Sequence, residues 1–200
     1  MPRPAGTTAE DTRARILAVA LELVSERGFA GTSIRDLAER LDLTVAAMYY
    51  HFSSKDALLD ALVEPLIDRL TELSAQASSG ELGEVDVLRE LVTLLSGEGA
   101  KVIGVLHGDP SATLRLKARC EPERMFAGIV RGLARSDDRV ALLRAKCAVG
   151  AVQGAVFAAA HSHPGPRGSW PGFDDEDRTV VVNAALAALH SKPPRTGKSN

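Results

Sequence analysis

Two hundred residues, with 45% apolar and 25% charged side chains, describe an ordinary soluble globular chain, long enough to bury a real core. Aromatics are only 4%, so cores must be built from Ala, Leu and Val, which favours packed helices over a β-sandwich. A net charge of −2 excludes a uniformly basic nucleic-acid binder, and two cysteines, Cys120 and Cys147, give no disulfide framework and suit a reducing cytosol.

Residues 1–8 read as a disordered arm with no apolar segment behind it that would mark a signal peptide. Helical period then begins at Thr7 or Thr8, where Thr7-Thr8-Ala9-Glu10 matches a capping box. Ile16, Leu17, Ala20, Leu23 and Val24 recur on one face until Gly28 stops the helix. Thr32 or Ser33 caps a second helix whose inner side carries Ile34, Leu37, Ala38 and Leu41. Asp42-Leu43 is a tight turn, and Thr44 caps a third helix of about two turns. A long amphipathic helix from Ser54 to Ala77 follows, with a kink expected at Pro65, which cannot bond the carbonyl of Ala61. Further helices are expected at Val85–Leu95, Ala100–His107, Pro110–Cys120, Pro122–Ala134 and Asp137–His161. The run His163-Pro164-Gly165-Pro166-Arg167-Gly168 cannot be helical. Asp174 or Asp175 caps a last helix through His190, and 191–200 read as a disordered tail. The fold class is all-α. The most apolar stretch, Ala145–Ala160, reads as too short and too polar for a bilayer, which makes the chain cytoplasmic.

Three short helices with a tight turn between the second and third describe a helix-turn-helix, whose last helix enters a major groove. Ala38 is small where the helices cross, and Leu43 and Met48 plug the core beneath the turn. The Thr44 hydroxyl lies where a phosphate would, and Tyr49, His51 and Lys55 can donate to backbone oxygens on one flank. The run Gly31-Thr32-Ser33-Ile34-Arg35-Asp36-Leu37-Ala38, then Leu43-Thr44, Met48-Tyr49-Tyr50-His51-Phe52 and Lys55-Asp56-Ala57-Leu58-Leu59, resembles the DNA-binding signature of the TetR family of transcriptional regulators. Arg15-Ile16-Leu17-Ala18, Leu23-Val24 and Gly28-Phe29 match its first helix, so the resemblance covers about residues 10–60.

The resemblance implies a helix-turn-helix domain over 9–53 and a helical ligand-binding and dimerisation domain over 54–190. It implies a homodimer on a double-stranded, pseudo-palindromic operator, released by a small-molecule effector. Thr44, Tyr49, His51 and Lys55 would contact phosphates, while Arg35, Ala47 and Tyr50 approach base edges. This chain departs from the family in carrying Asp42 where the turn usually has glycine, so Asp42 must tolerate a left-handed backbone. Its third helix opens Thr44-Val45-Ala46-Ala47, with no Arg, Asn or Gln for bidentate base pairing. Direct readout is therefore expected to lean on Arg35 and the Tyr50 hydroxyl, with Val45, Ala46 and Ala47 against thymine methyls and DNA shape supplying the rest. Residues 1–60 hold seven Lys/Arg against nine Asp/Glu, so salt dependence should be modest.

Gly150, Gly154 and Ala158 form a strip of small residues at four-residue spacing, permitting close helix approach within or between subunits. With Val182, Leu186 and Leu189 it fits the family's dimer interface. His107, Arg119, Met125, Phe126, Cys147 and Gln153 are polar or soft side chains placed to line a ligand cavity. His161-x-His163 is too sparse for a metal site, and neither metal nor cofactor is expected. There is no HExxH, CxxC, phosphate loop or nucleophile elbow to support catalysis. An activator, or a small-molecule carrier or enzyme keeping the helix-turn-helix as scaffold, is the alternative reading.

Overall fold

The computed structural model describes residues 8–97, 99, 100, 102, 114, 122–164 and 170–192, and among these every regular element is α-helical. The helices are α1 (Ala9–Arg27), α2 (Ile34–Leu41), α3 (Val45–His51), α4 (Lys55–Ser79), α5 (Glu84–Ser96), α6 (Pro122–Ala134), α7 (Arg139–Ser162) and α8 (Asp175–Leu189). Outside the described residues lie most of the expected helices Ala100–His107 and Pro110–Cys120, most of the arm and tail, and the Pro/Gly run after Pro164.

Polar side chains set the helix starts by satisfying the free N–H groups of the first turn. Thr8 caps α1, its hydroxyl accepting from Asp11 N at 3.1 Å while Asp11 accepts from Thr8 N at 3.0 Å. Thr8 is therefore an ordered cap, and the box is one residue later than Thr7–Glu10. Ser33, Thr44, Ser54, Asp138 and Asp174 cap α2, α3, α4, α7 and α8. At the other end of α4, Gly80 takes the left-handed cap conformation at φ 77°, so the helix runs through Ser78 and Ser79 where a loop is expected. It also runs through Pro65 as one element.

Two main cores result. Ile16, Ala20 and Leu23 of α1 meet Ile34, Leu37, Ala38 and Leu41 of α2, Met48 and Phe52, and are closed by Leu58 and Ala61 of α4. The second core joins Leu70, Leu73 and Ala77 of α4 to Leu88 and Leu91 of α5, Ile129 and Leu133 of α6, Val152 and Val156 of α7 and Ala185 of α8. The first turns of α4 thus complete the N-terminal core, and a boundary at 53/54 would cut through it.

α7 corrects the expectation drawn from Ala145–Ala160. It extends past that window at both ends, and by length and composition alone it is apolar enough to cross a membrane. In the bundle its stripe Ala145, Ala148, Val149, Val152 and Val156 is buried in the second core.

Candidate nucleic-acid interface

The turn that aims α3 is built from three residues. Asp42 adopts the left-handed conformation (φ 55°, ψ 42°) that its sequence position demands. Leu43 N–H then reaches back to Ala38 O at 2.9 Å, tying off carbonyls that the end of α2 would otherwise leave open. Thr44 starts α3 immediately, accepting from Ala47 N at 3.1 Å; its hydroxyl proton stays available to an acceptor outside. The start of α2 is fixed with equal economy. The Ser33 hydroxyl, and then its backbone N–H, hold the Asp36 carboxyl below the usual carboxylate range, so Asp36 is an anion committed to its cap.

α3 divides sharply into an inner and an outer side. Met48 is fully buried and Phe52 is buried beside it. Tyr50 is 81% exposed, Tyr49 52% and Val45 38%; Thr44 and Ala46 are also exposed, with Ala47 and His51 half-buried. Arg35 is exposed at the start of α2. Tyr50 meets the His51 ring edge-on at 5.2 Å between centroids. Half-buried Lys55 sets its Nζ 4.3 Å from the centre of the Phe29 ring. A helix of only seven residues that holds two tyrosines in water offers donors and flat apolar surface to something outside the chain.

Spacing along the chain does not reveal Arg13. From α1 its Nη1 donates to His51 O at 2.9 Å, and its guanidinium lies 4.2 Å from the centre of the Phe52 ring. The last carbonyl of α3 thus finds a charged donor 38 residues away in sequence. Only the tertiary placement of α1 on the N-terminal core brings the two together.

The C-terminal assignments divide. Met125 and Phe126 of α6 are half-buried against the second core. Cys147 and Gln153 are exposed on α7, away from its buried stripe, so neither lines the interior. His107, Arg119 and Cys120 lie outside the described residues. Gly150, Gly154 and Ala158 are exposed. Val182 and Leu189, expected between subunits, are instead buried in the protomer's own core, with Leu186 packed against it. The outer face of α8 is Val180, Asn183, Ala184 and Ala187.

A family profile described as "Bacterial regulatory proteins, tetR family" matches residues 16–62, the span of the first core. The chain is 33% identical over 99 residues to a probable HTH-type transcriptional regulator, ArpR, of Pseudomonas putida, covering 49% of this chain and 47% of that protein. Against the class C tetracycline repressor protein of Escherichia coli it is 46% identical over 55 residues, 28% of this chain and 25% of that one. The match therefore spans less than half of either relative. The likeness in fold is wider: a TerR/AcrR-family transcriptional regulator from Aquifex aeolicus superposes with a TM-score of 0.68 over 89% of this chain and 97% of that chain, at 18% identity. The signature sits on the helices that expose Arg35, Tyr49 and Tyr50, and residues 16–62 form a domain of the tetR family of bacterial regulatory proteins.

Proposed function

We propose that this chain is a cytoplasmic, homodimeric transcriptional repressor that binds a pseudo-palindromic operator and leaves it when a small molecule enters the C-terminal bundle. The observation that carries the reading is the outer face of α3, where Thr44, Val45, Ala46, Tyr49 and Tyr50 stand in solvent above a fully buried Met48. Thr44, Tyr49, His51 and Lys55 take phosphates; Arg35, Val45, Ala46, Ala47 and Tyr50 face base edges. Repression rather than activation is supported by the relative named a tetracycline repressor. Release follows if the effector binds unequally to the forms whose two α3 helices do and do not fit both half-sites. Selection of bound duplexes from a randomised pool tests the reading: a two-fold symmetric sequence should emerge, and no enrichment would end it. Repeating the selection with Arg35→Ala should flatten the preference at one base pair per half-site, by about 1–3 kcal/mol of discrimination.

For the dimer, the support is the exposed side of α7. Val140, Leu143, Cys147, Gly150, Gly154, Phe157 and His161 are all exposed at alternating three- and four-residue steps, the spacing of a helix seam that another helix can enter. Val180, Ala184 and Ala187 extend the apolar surface onto α8, which packs beside α7. Within one protomer a Cβ at Gly150 or Gly154 meets nothing within 4 Å. Alanine there should add up to about 1 kcal/mol through helix propensity in a lone subunit, yet weaken the dimer if a partner backbone fills the space. Sedimentation of Gly150→Ala/Gly154→Ala against the parent should show dissociation at higher concentration. Unchanged dimerisation with a raised Tm would place the subunit contact elsewhere.

A further inference from the structure

A second junction, besides the shared length of α4, joins the two cores. Val24 at the end of α1 and Phe29 just after it are buried in one cluster with Leu59 and Val63 of α4 and with Val102, which lies beyond α5. Gly99 lies close to both α5 and α4, since a Cβ added there would overlap Leu94 O and come to 3.0 Å from Leu66 Cδ1. Phe29 is therefore held by groups from α1, from α4 and from beyond α5. Its ring also carries the Lys55 ammonium 4.3 Å from its centre. Lys55 is the cation assigned above to a DNA phosphate.

A ring face attracts a cation and fixes where it rests, and a close-packed ring moves only when its neighbours do. We infer that Phe29 is a positioning residue: it sets Lys55 against the phosphate backbone, and the cluster it shares with Val102 lets the C-terminal bundle govern that setting. The inference rests on the DNA-binding reading and adds a direct route from Val102 to a phosphate contact.

Binding of a mixed-sequence duplex at several salt concentrations tests it, because a phosphate contact is lost on any sequence. Phe29→Leu keeps an apolar plug and removes the ring face. Affinity should fall about three- to tenfold, with the slope of log K against log salt shallower by about 0.9 per bound subunit. Lys55→Ala should give the same slope, and the double variant no further loss. Phe29→Tyr, which keeps the ring, should restore the parent slope. Val102→Ala should weaken binding in the parent and have no effect in the Lys55→Ala background. The role is overturned if Phe29→Leu keeps the parent slope while Lys55→Ala changes it. It is equally overturned if the Val102 and Lys55 effects simply add, a comparison that stands even should Phe29→Leu not fold. Parent protein that binds no duplex removes the DNA-binding reading and this one with it.

Discussion

Gly132→Ala should lower the stability of the C-terminal bundle by about 2–3 kcal/mol, although alanine in a helix interior ordinarily gains about 1 kcal/mol over glycine. The sign reverses because of what lies opposite. A Cβ at Gly132 would overlap the carbonyl group of Ala77 and come within 2.8 Å of the Ala77 Cβ. One turn earlier, a Cβ at Gly128 would overlap the Ser74 hydroxyl and stand 2.7 Å from Ser74 O, and the Ser78 hydroxyl donates to Gly128 O at 3.1 Å. At Gly132 the obstacles are the Ala77 carbonyl and Cβ, which cannot rotate away as a side-chain tip can. The glycines let α6 lie against the last turns of α4 with Ile129 and Leu133 buried on either side. An added methyl must push the helices apart and strip contacts from both leucine- and valine-rich faces. For a chain of this size the loss corresponds to a fall in Tm of roughly 4–12 °C. Thermal unfolding of Gly132→Ala beside the parent reads the loss directly, since both the glycine and its obstacle lie within one subunit. Equal melting temperatures would mean that α4 and α6 are not in this close register.

The N-terminal unit was readable because its determinants are local. Caps at Ser33, Thr44 and Ser54, the left-handed Asp42 and the buried Met48 each follow from residues within a few positions, and each sits where spacing puts it. The last helix was not readable for a physical reason. α8 carries Val180, Val181, Val182, Ala184, Ala185, Leu186, Ala187, Ala188 and Leu189, broken only by Asn183, so period alone leaves more than one side able to face inward. Val182 and Leu189, expected at the subunit contact, belong to the stripe that the protomer buries, while Val180, Ala184 and Ala187 stay outside. α7 misled in the same way, for Cys147 and Gln153 have the polar softness of cavity residues but stand off its inward stripe. Helices apolar all round are expected where two neighbours must be served, one inside the subunit and one beyond it. Arg13 does not show for the opposite reason: its partner is a backbone carbonyl, which has no sequence signature, and only the folded N-terminal core makes the pair.

That pair should matter most for DNA binding. α3 has seven residues, well below the length at which an isolated helix holds itself together in water. It stands because Met48 is buried, Thr44 closes its N-terminus and Arg13 closes its C-terminus. A charged donor on a terminal carbonyl contributes about 1.5–3 kcal/mol and favours the negative end of the helix. The stacked Phe52 ring adds a further cation–π contact. Arg13→Ala removes all three effects at once and leaves every assigned DNA-contact side chain in place. Affinity should therefore drop by roughly tenfold or more, and by the same factor on the selected duplex and on single-base variants of it, since no base contact is lost. Arg35→Ala should do the converse, changing the ranking of duplexes. Titrating both variants against the same panel separates a residue that holds α3 in place from one that reads sequence. An Arg13 variant with parental affinity would show that the α3 C-terminus needs no clamp, whereas one that reordered the panel would put Arg13 itself at the bases.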